Sequence, residues 1–138
     1  MGWIEPKTDW TENDYIVTEN DNAYNRIVGN ISYLKNLAEE LFSEVTDFPV
    51  GEEKTFLSLI YAREMNDIEN ALEILNADTY GLDIGEKQLF KANGRTPLWT
   101  EFNRIETACL KLYKMLIAHK NALPRLSMTL GGEKGIVI

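Results

Sequence analysis

One apolar pattern is written into this chain three times, and it constrains the fold more than any other feature. The segments "AYNRIVGNISYL" (23–34), "EMNDIENALEIL" (64–75) and "LWTEFNRIETACLKL" (98–112) align on Asn25, Asn66 and Asn103, 41 and 37 residues apart. Counted from the residue before each asparagine, apolar residues fall at offsets 0, 3, 7 and 10. The first copy has Tyr24, Ile27, Ile31 and Leu34, the second Met65, Ile68, Leu72 and Leu75, the third Phe102, Ile105, Cys109 and Leu112. That spacing lines one face of an α-helix, whereas a strand would need alternation. Three helices with one face each to bury satisfy one another by packing together. The expected fold is mainly α: three amphipathic helices (about 22–43, 58–77 and 97–120) in a small bundle, with short β or extended arms between and after them.

Punctuation sets those boundaries. "ENDN" offers Asn20, Asp21 or Asn22 as an N-cap for helix 1, which stops before Asp47 and Pro49. Ser58 is the candidate cap of helix 2, and Gly81 follows its end. Helix 3 opens on Thr96-Pro97, with proline at the first helical position, and is expected to end near Lys120 ahead of Pro124.

A second refrain lies between the helices. "VGEEKTF" (50–56), "IGEKQLF" (84–90) and "GGEKGIV" (131–137) share a Gly-Glu-Lys core, and "IEPKTDW" (4–10) is a weaker relative. Each unit reads as extended element, turn, aromatic anchor (Trp10, Phe56, Phe90), then helix. The unequal unit lengths argue against a solenoid, which needs near-constant repeats. The expected organisation is one helical domain over 1–138 with an internal threefold pseudo-repeat, an extended N-terminal arm (1–19) and an extended C-terminal arm (122–138). In the C-terminal arm Leu126, Met128 and Leu130 alternate with polar residues, and the chain ends in "GIVI". This arm either pairs within its own domain or adds a strand to a neighbouring subunit. The expected assembly interface is Trp3, Trp10, Leu126, Met128, Leu130, Ile136, Val137 and Ile138.

Composition excludes several chemistries. A net charge of -8 disfavours nucleic acid as a partner, since a phosphate backbone needs a basic patch. The densest basic stretch, Lys111, Lys114, His119, Lys120 and Arg125, is spread around and beyond a helix. With one cysteine and one histidine, neither an intrachain disulfide nor a Cys/His metal cluster can form. "TENDYIVTEND" lacks the register of a calcium loop. No metal and no cofactor is expected. No apolar run reaches ~18 residues, so membrane insertion is not expected. The N-terminus lacks a signal peptide's basic start and apolar stretch, which implies a cytoplasmic origin.

The recurring polar residues read as structural. Each asparagine lies on the flank of its stripe and is expected to bond a neighbouring connection. Arg26 and Arg104 become Asp67 in the middle copy, and Glu69 and Glu106 become Val28 in the first. The two glutamates are expected to be solvated or paired with Arg and Lys. Cys109 is expected to be a small buried hydrophobe and His119 the favoured cation at a helix end. No catalytic triad, Gly-x-Gly-x-x-Gly or Walker loop is present, and no enzymatic activity is expected.

The phrases "PKTDW", "AYNRIVGNISYL", "YAREMNDIENALEIL", "FNRIETACLKLY" and "LPRLSMTLGG" resemble a family of small structural proteins or modules encoded by phages and prophages of Gram-positive bacteria. Its pattern is Asp-Trp, then Asp-x-Asn-Arg-Ile-Glu-x-Asn, then a Leu-rich helix. This chain departs from it at Val28-Gly29 and at Asp67. The resemblance implies a non-enzymatic virion component of the tail, baseplate or fibre region, made in the bacterial cytoplasm. Its expected partners are further copies of itself and other virion structural proteins. Two alternatives stand beside it. One is a host-surface module binding cell-wall or carbohydrate through Trp3, Trp10 and Tyr15. The other is a small acidic prophage regulator or inhibitor.

Overall fold

All twelve stripe residues are buried, none more than 3% exposed. They belong to three helices, α1 (Ala23–Leu41), α2 (Ala62–Asp78) and α3 (Trp99–Gly131), which pack against one another as a mainly α bundle. A computed structural model describes residues 2–12, 22–42, 44–55, 61–92 and 99–131, with α3 side chains described as far as Leu123. Ser58, Phe56, Thr96, Pro97, most of the "TEND" echo and the segment holding Ile136, Val137 and Ile138 lie outside the described residues.

Local chemistry explains the described helix ends. The Asn22 side chain accepts from the Asn25 N–H at 3.0 Å, and Phe42 closes α1 by donating to the Ala38 carbonyl. At α2 the Tyr61 N–H donates to the Glu64 carboxylate at 2.8 Å, half of a capping box. The exit from α2 needs Gly81, which sits at φ 63 and returns its N–H to the Asn76 carbonyl.

The last helix corrects the expected boundary. Residues 122–131, read as part of an extended arm, are helical, and α3 runs for 33 residues. Proline removes one helical hydrogen bond, here to the Lys120 carbonyl, and the helix carries that loss instead of stopping. The period-two alternation of Leu126, Met128 and Leu130 therefore lies on helical backbone and does not mark a strand. Among the described residues no β-strand forms.

The three helices run in the same direction. Arg26, in the first turn of α1, meets Glu106 near the start of α3, and Arg104 there meets Glu69 in the first half of α2. At the other end Phe42, just past α1, and Tyr80, just past α2, both pack edge-on against His119 of α3. Parallel helices require each connection to travel back the length of a helix. Arm 2 (residues 44–55) and arm 3 (79–92) lie on those return paths, arm 1 (2–12) leads into α1, and each lies along a groove between two helices. Arm 1 is held by α1 and α3 through Asn30 and Asn103. Arm 2 is held by α1 and α2 through Asn25 and Asp78. Arm 3 is held by α2 and α3 through Asn66 and Lys111. In α1 every residue from Arg26 to Ile31 is buried.

Candidate functional site

The recurring asparagines form one device used three times. Asn103 accepts from the Trp10 N–H at 2.7 Å and donates to the Trp10 carbonyl at 3.0 Å. Asn25 does the same to Lys54, at 2.6 Å both ways, and Asn66 to Phe90, at 2.8 Å both ways. A side-chain carboxamide carries the donor and acceptor of a peptide unit, so it pairs with one residue as a neighbouring strand would. The expectation that these asparagines bond connections describes what they do. The order is cyclic: α1 holds the arm leading to α2, α2 holds the arm leading to α3, and α3 holds the arm leading to α1. Two further asparagines pin the other ends of arms: Asn30 with Ile4, at 2.8 and 2.9 Å, and Asn76 with Leu82, at 2.6 and 2.7 Å.

Beside the clamps runs a buried polar ring. Expected to be solvated or paired with Arg and Lys, Glu69 and Glu106 are both buried, and each is paired with an arginine of another helix. Glu106 takes a two-pronged contact from Arg26, at 2.5 and 2.8 Å, the Trp10 indole N–H at 2.6 Å and the Lys7 N–H at 3.1 Å. The paired guanidinium and two further N–H groups satisfy a carboxylate that could not otherwise stand in the core. Glu69 pairs with Arg104, whose aliphatic stem passes so close to Gly85 that a Cβ there would lie 2.6 Å from it.

These pairs join offset 2 of one copy to offset 4 of another. Arg26 of the first copy meets Glu106 of the third, and Arg104 of the third meets Glu69 of the second. The remaining place in the cycle would join offset 2 of the second copy to offset 4 of the first, which are Asp67 and Val28. A different arrangement fills this corner. Lys54 pairs with Glu64 at 2.9 Å, and the Tyr24 hydroxyl donates to the same carboxylate at 3.4 Å. Burial works against the Glu64 charge, but the Tyr61 N–H, Lys54 and the Tyr24 hydroxyl outweigh it and hold the carboxyl below its usual range. Burial and the Glu64 charge push the Tyr24 phenol up to about 12. Gly51 is required here, because a Cβ would fall 2.3 Å from the Tyr24 oxygen.

The other candidate groups are engaged in packing. Cys109 is buried, and burial together with the nearby Glu106 charge drives its thiol well above the usual range. His119 Nδ1 lies 2.9 Å from the Tyr80 hydroxyl. Trp3 stacks on Tyr113 with centroids 4.0 Å apart, beside Tyr33. Trp10 is 2% exposed. Expected at an assembly surface, both tryptophans sit in the chain's own α1/α3 groove, Trp10 drawn in by its bond to Glu106. Among the described residues no group of three His, Cys, Asp or Glu is placed to hold a metal ion, and no helix is long and apolar enough to cross a membrane.

The α2/α3 groove is only partly filled. Two concavities of about 290 and 240 Å³ flank the turn Asp83–Gly85, sharing Arg104 as a wall. The charges around them are paired: Arg104 with Glu69, Lys87 with Glu73, Lys111 with the Asp83 carbonyl. Such a lining is closed on itself and presents no converging set of unsatisfied groups to a small molecule. Comparison with family models, curated proteins and solved structures returns no match.

Proposed function

We propose that this chain is a non-enzymatic structural component of a phage or prophage particle, of its tail, baseplate or fibre region, acting in multiple copies. The observation that carries this reading is the use made of the recurrent polar residues. Asn25, Asn66 and Asn103 fasten arms to helices, while Arg26, Arg104, Glu69 and Glu106 fasten one helix to the next. The chemistry of the repeat goes into holding shape, which is what a subunit of a symmetric assembly needs. The resemblance of the repeat phrases to Gram-positive phage structural proteins supplies the setting. The host-surface alternative is weakened by the burial of Trp10 and the stacking of Trp3.

Two measurements test the reading. Mass spectrometry of purified particles from a host carrying this coding sequence is expected to find several copies of the chain per particle; particles without it overturn the proposal. Light scattering of the full chain is expected to give a mass above one chain, reduced when residues 131–138 are deleted. A folded monomer at every concentration removes the self-association part.

A further inference from the structure

We infer that the α1/α3 groove is a receptor for arm 1 of a second copy, so that copies are joined by arm exchange; this rests on the multi-copy reading above. Arm 1 is recognised as a ligand would be. Its bonds to the bundle link residues 26, 93, 96 and 99 positions apart in the chain. Asn30 and Asn103 read its backbone at Ile4 and Trp10, as an added strand is read, and neither asparagine depends on the side chain it holds. Specificity comes from one anchor. The Trp10 ring is enclosed, its N–H is on Glu106, and the Arg26 guanidinium lies 5.8 Å from the ring centroid. An enclosed indole backed by a desolvated ion pair is the composition of an interface hot spot.

Topology singles out this arm. Arms 2 and 3 each lie between two helices of this bundle in chain order, and arm 1 lies ahead of α1. Its tether is also the longest. Eleven residues separate Trp10 from Asn22, against six between Lys54 and Tyr61 and eight between Phe90 and Trp99. Within one chain the distance to cover is short, since Trp10 already touches the first turn of α1 through Arg26. Fully extended, that tether reaches roughly 40 Å, more than the ~28 Å length of α1, and so spans to a neighbouring bundle. Exchange uses the same clamps, stack and ion pair between copies that the single chain uses within itself, so it needs no new surface.

The test uses full-length chains. One carries Ile4→Cys, at a half-exposed arm position, and the other Leu110→Cys, one turn beyond Glu106 on α3. Cys109 is buried, which leaves the introduced thiols as the reactive pair. The two are co-expressed, treated with a short bismaleimide and separated on a denaturing gel, with the doubly substituted single chain as the reach control. A covalent dimer containing one of each, lost when Asn103→Ala is added to the Leu110→Cys chain, is the expected result. A multimer by light scattering in which only the doubly substituted chain cross-links, and only within itself, overturns arm exchange and leaves the multi-copy reading standing. A monomer with no mixed dimer overturns both.

Discussion

Glu106 receives four hydrogen bonds from three residues and is shut off from water. Removing one member of such a buried pair strands the other, which costs about 3–5 kcal/mol. Urea unfolding of Glu106→Ala is expected to show a loss of that order. Arg26→Met with Glu106→Leu together is expected to lose less than Glu106→Ala alone, because no charge is left behind. At the third corner Val28 stands where a glutamate would, and the Lys54–Glu64 pair takes the place of the missing one. At that corner Gly51→Ala is expected to destabilise by about 1–3 kcal/mol through overpacking against the Tyr24 oxygen. Adding Tyr24→Phe removes the colliding atom, so a double-mutant cycle is expected to show strong coupling between the two sites. Tyr24 also sets an alkaline limit. Below pH 10 the phenol is neutral in both folded and unfolded chains and contributes no pH dependence. Between pH 10 and about 12 the unfolded chain releases this proton and the folded chain keeps it, so stability falls as pH rises through that window. Tyr24→Phe is expected to flatten this part of a stability–pH profile measured by denaturant titration.

At the level of elements, the arms behave as bonded structure although they are neither helix nor strand. The amides of Ile4, Trp10, Lys54, Leu82 and Phe90 each donate to an asparagine side chain. Hydrogen exchange is expected to find these five slowed relative to their neighbours. Asn66→Ala is expected to release Phe90 selectively and to cost about 1–3 kcal/mol, the penalty for leaving a part-buried N–H and carbonyl unpaired. The apolar stripes were legible in the sequence because a period of 3.6 shows in any one copy. Helix direction was not, since a stripe looks the same from either end. The polar ring was hidden for a different reason: its bonds run between copies. Reading Arg26 and Arg104 within their own copies makes Asp67 and Val28 look like two separate departures from the pattern. Reading offset 2 of one copy against offset 4 of another turns them into the two halves of one absent pair. The end of α3 was misread because Pro124 and a short alternation outweighed helix continuity.

For the whole molecule, the cyclic order of clamps makes each groove depend on two helices and an arm. No helix can leave without exposing two grooves. Loss of helical circular dichroism and the change in Trp10 fluorescence are therefore expected to coincide in one transition, and separated midpoints would show that arm 1 melts on its own. The two-ended fastening of arm 1 has a mechanical side as well. The arm lies antiparallel to α3, from Trp3 beside Tyr113 back to Trp10 beside Asn103, and is pinned near each end by Asn30 and Asn103. A pull along the bundle axis loads both pins together in shear, whereas a pull away from the groove opens them one after the other. The fastening of arm 1 therefore has a strong and a weak direction, and the strong one follows the long axis of the helices.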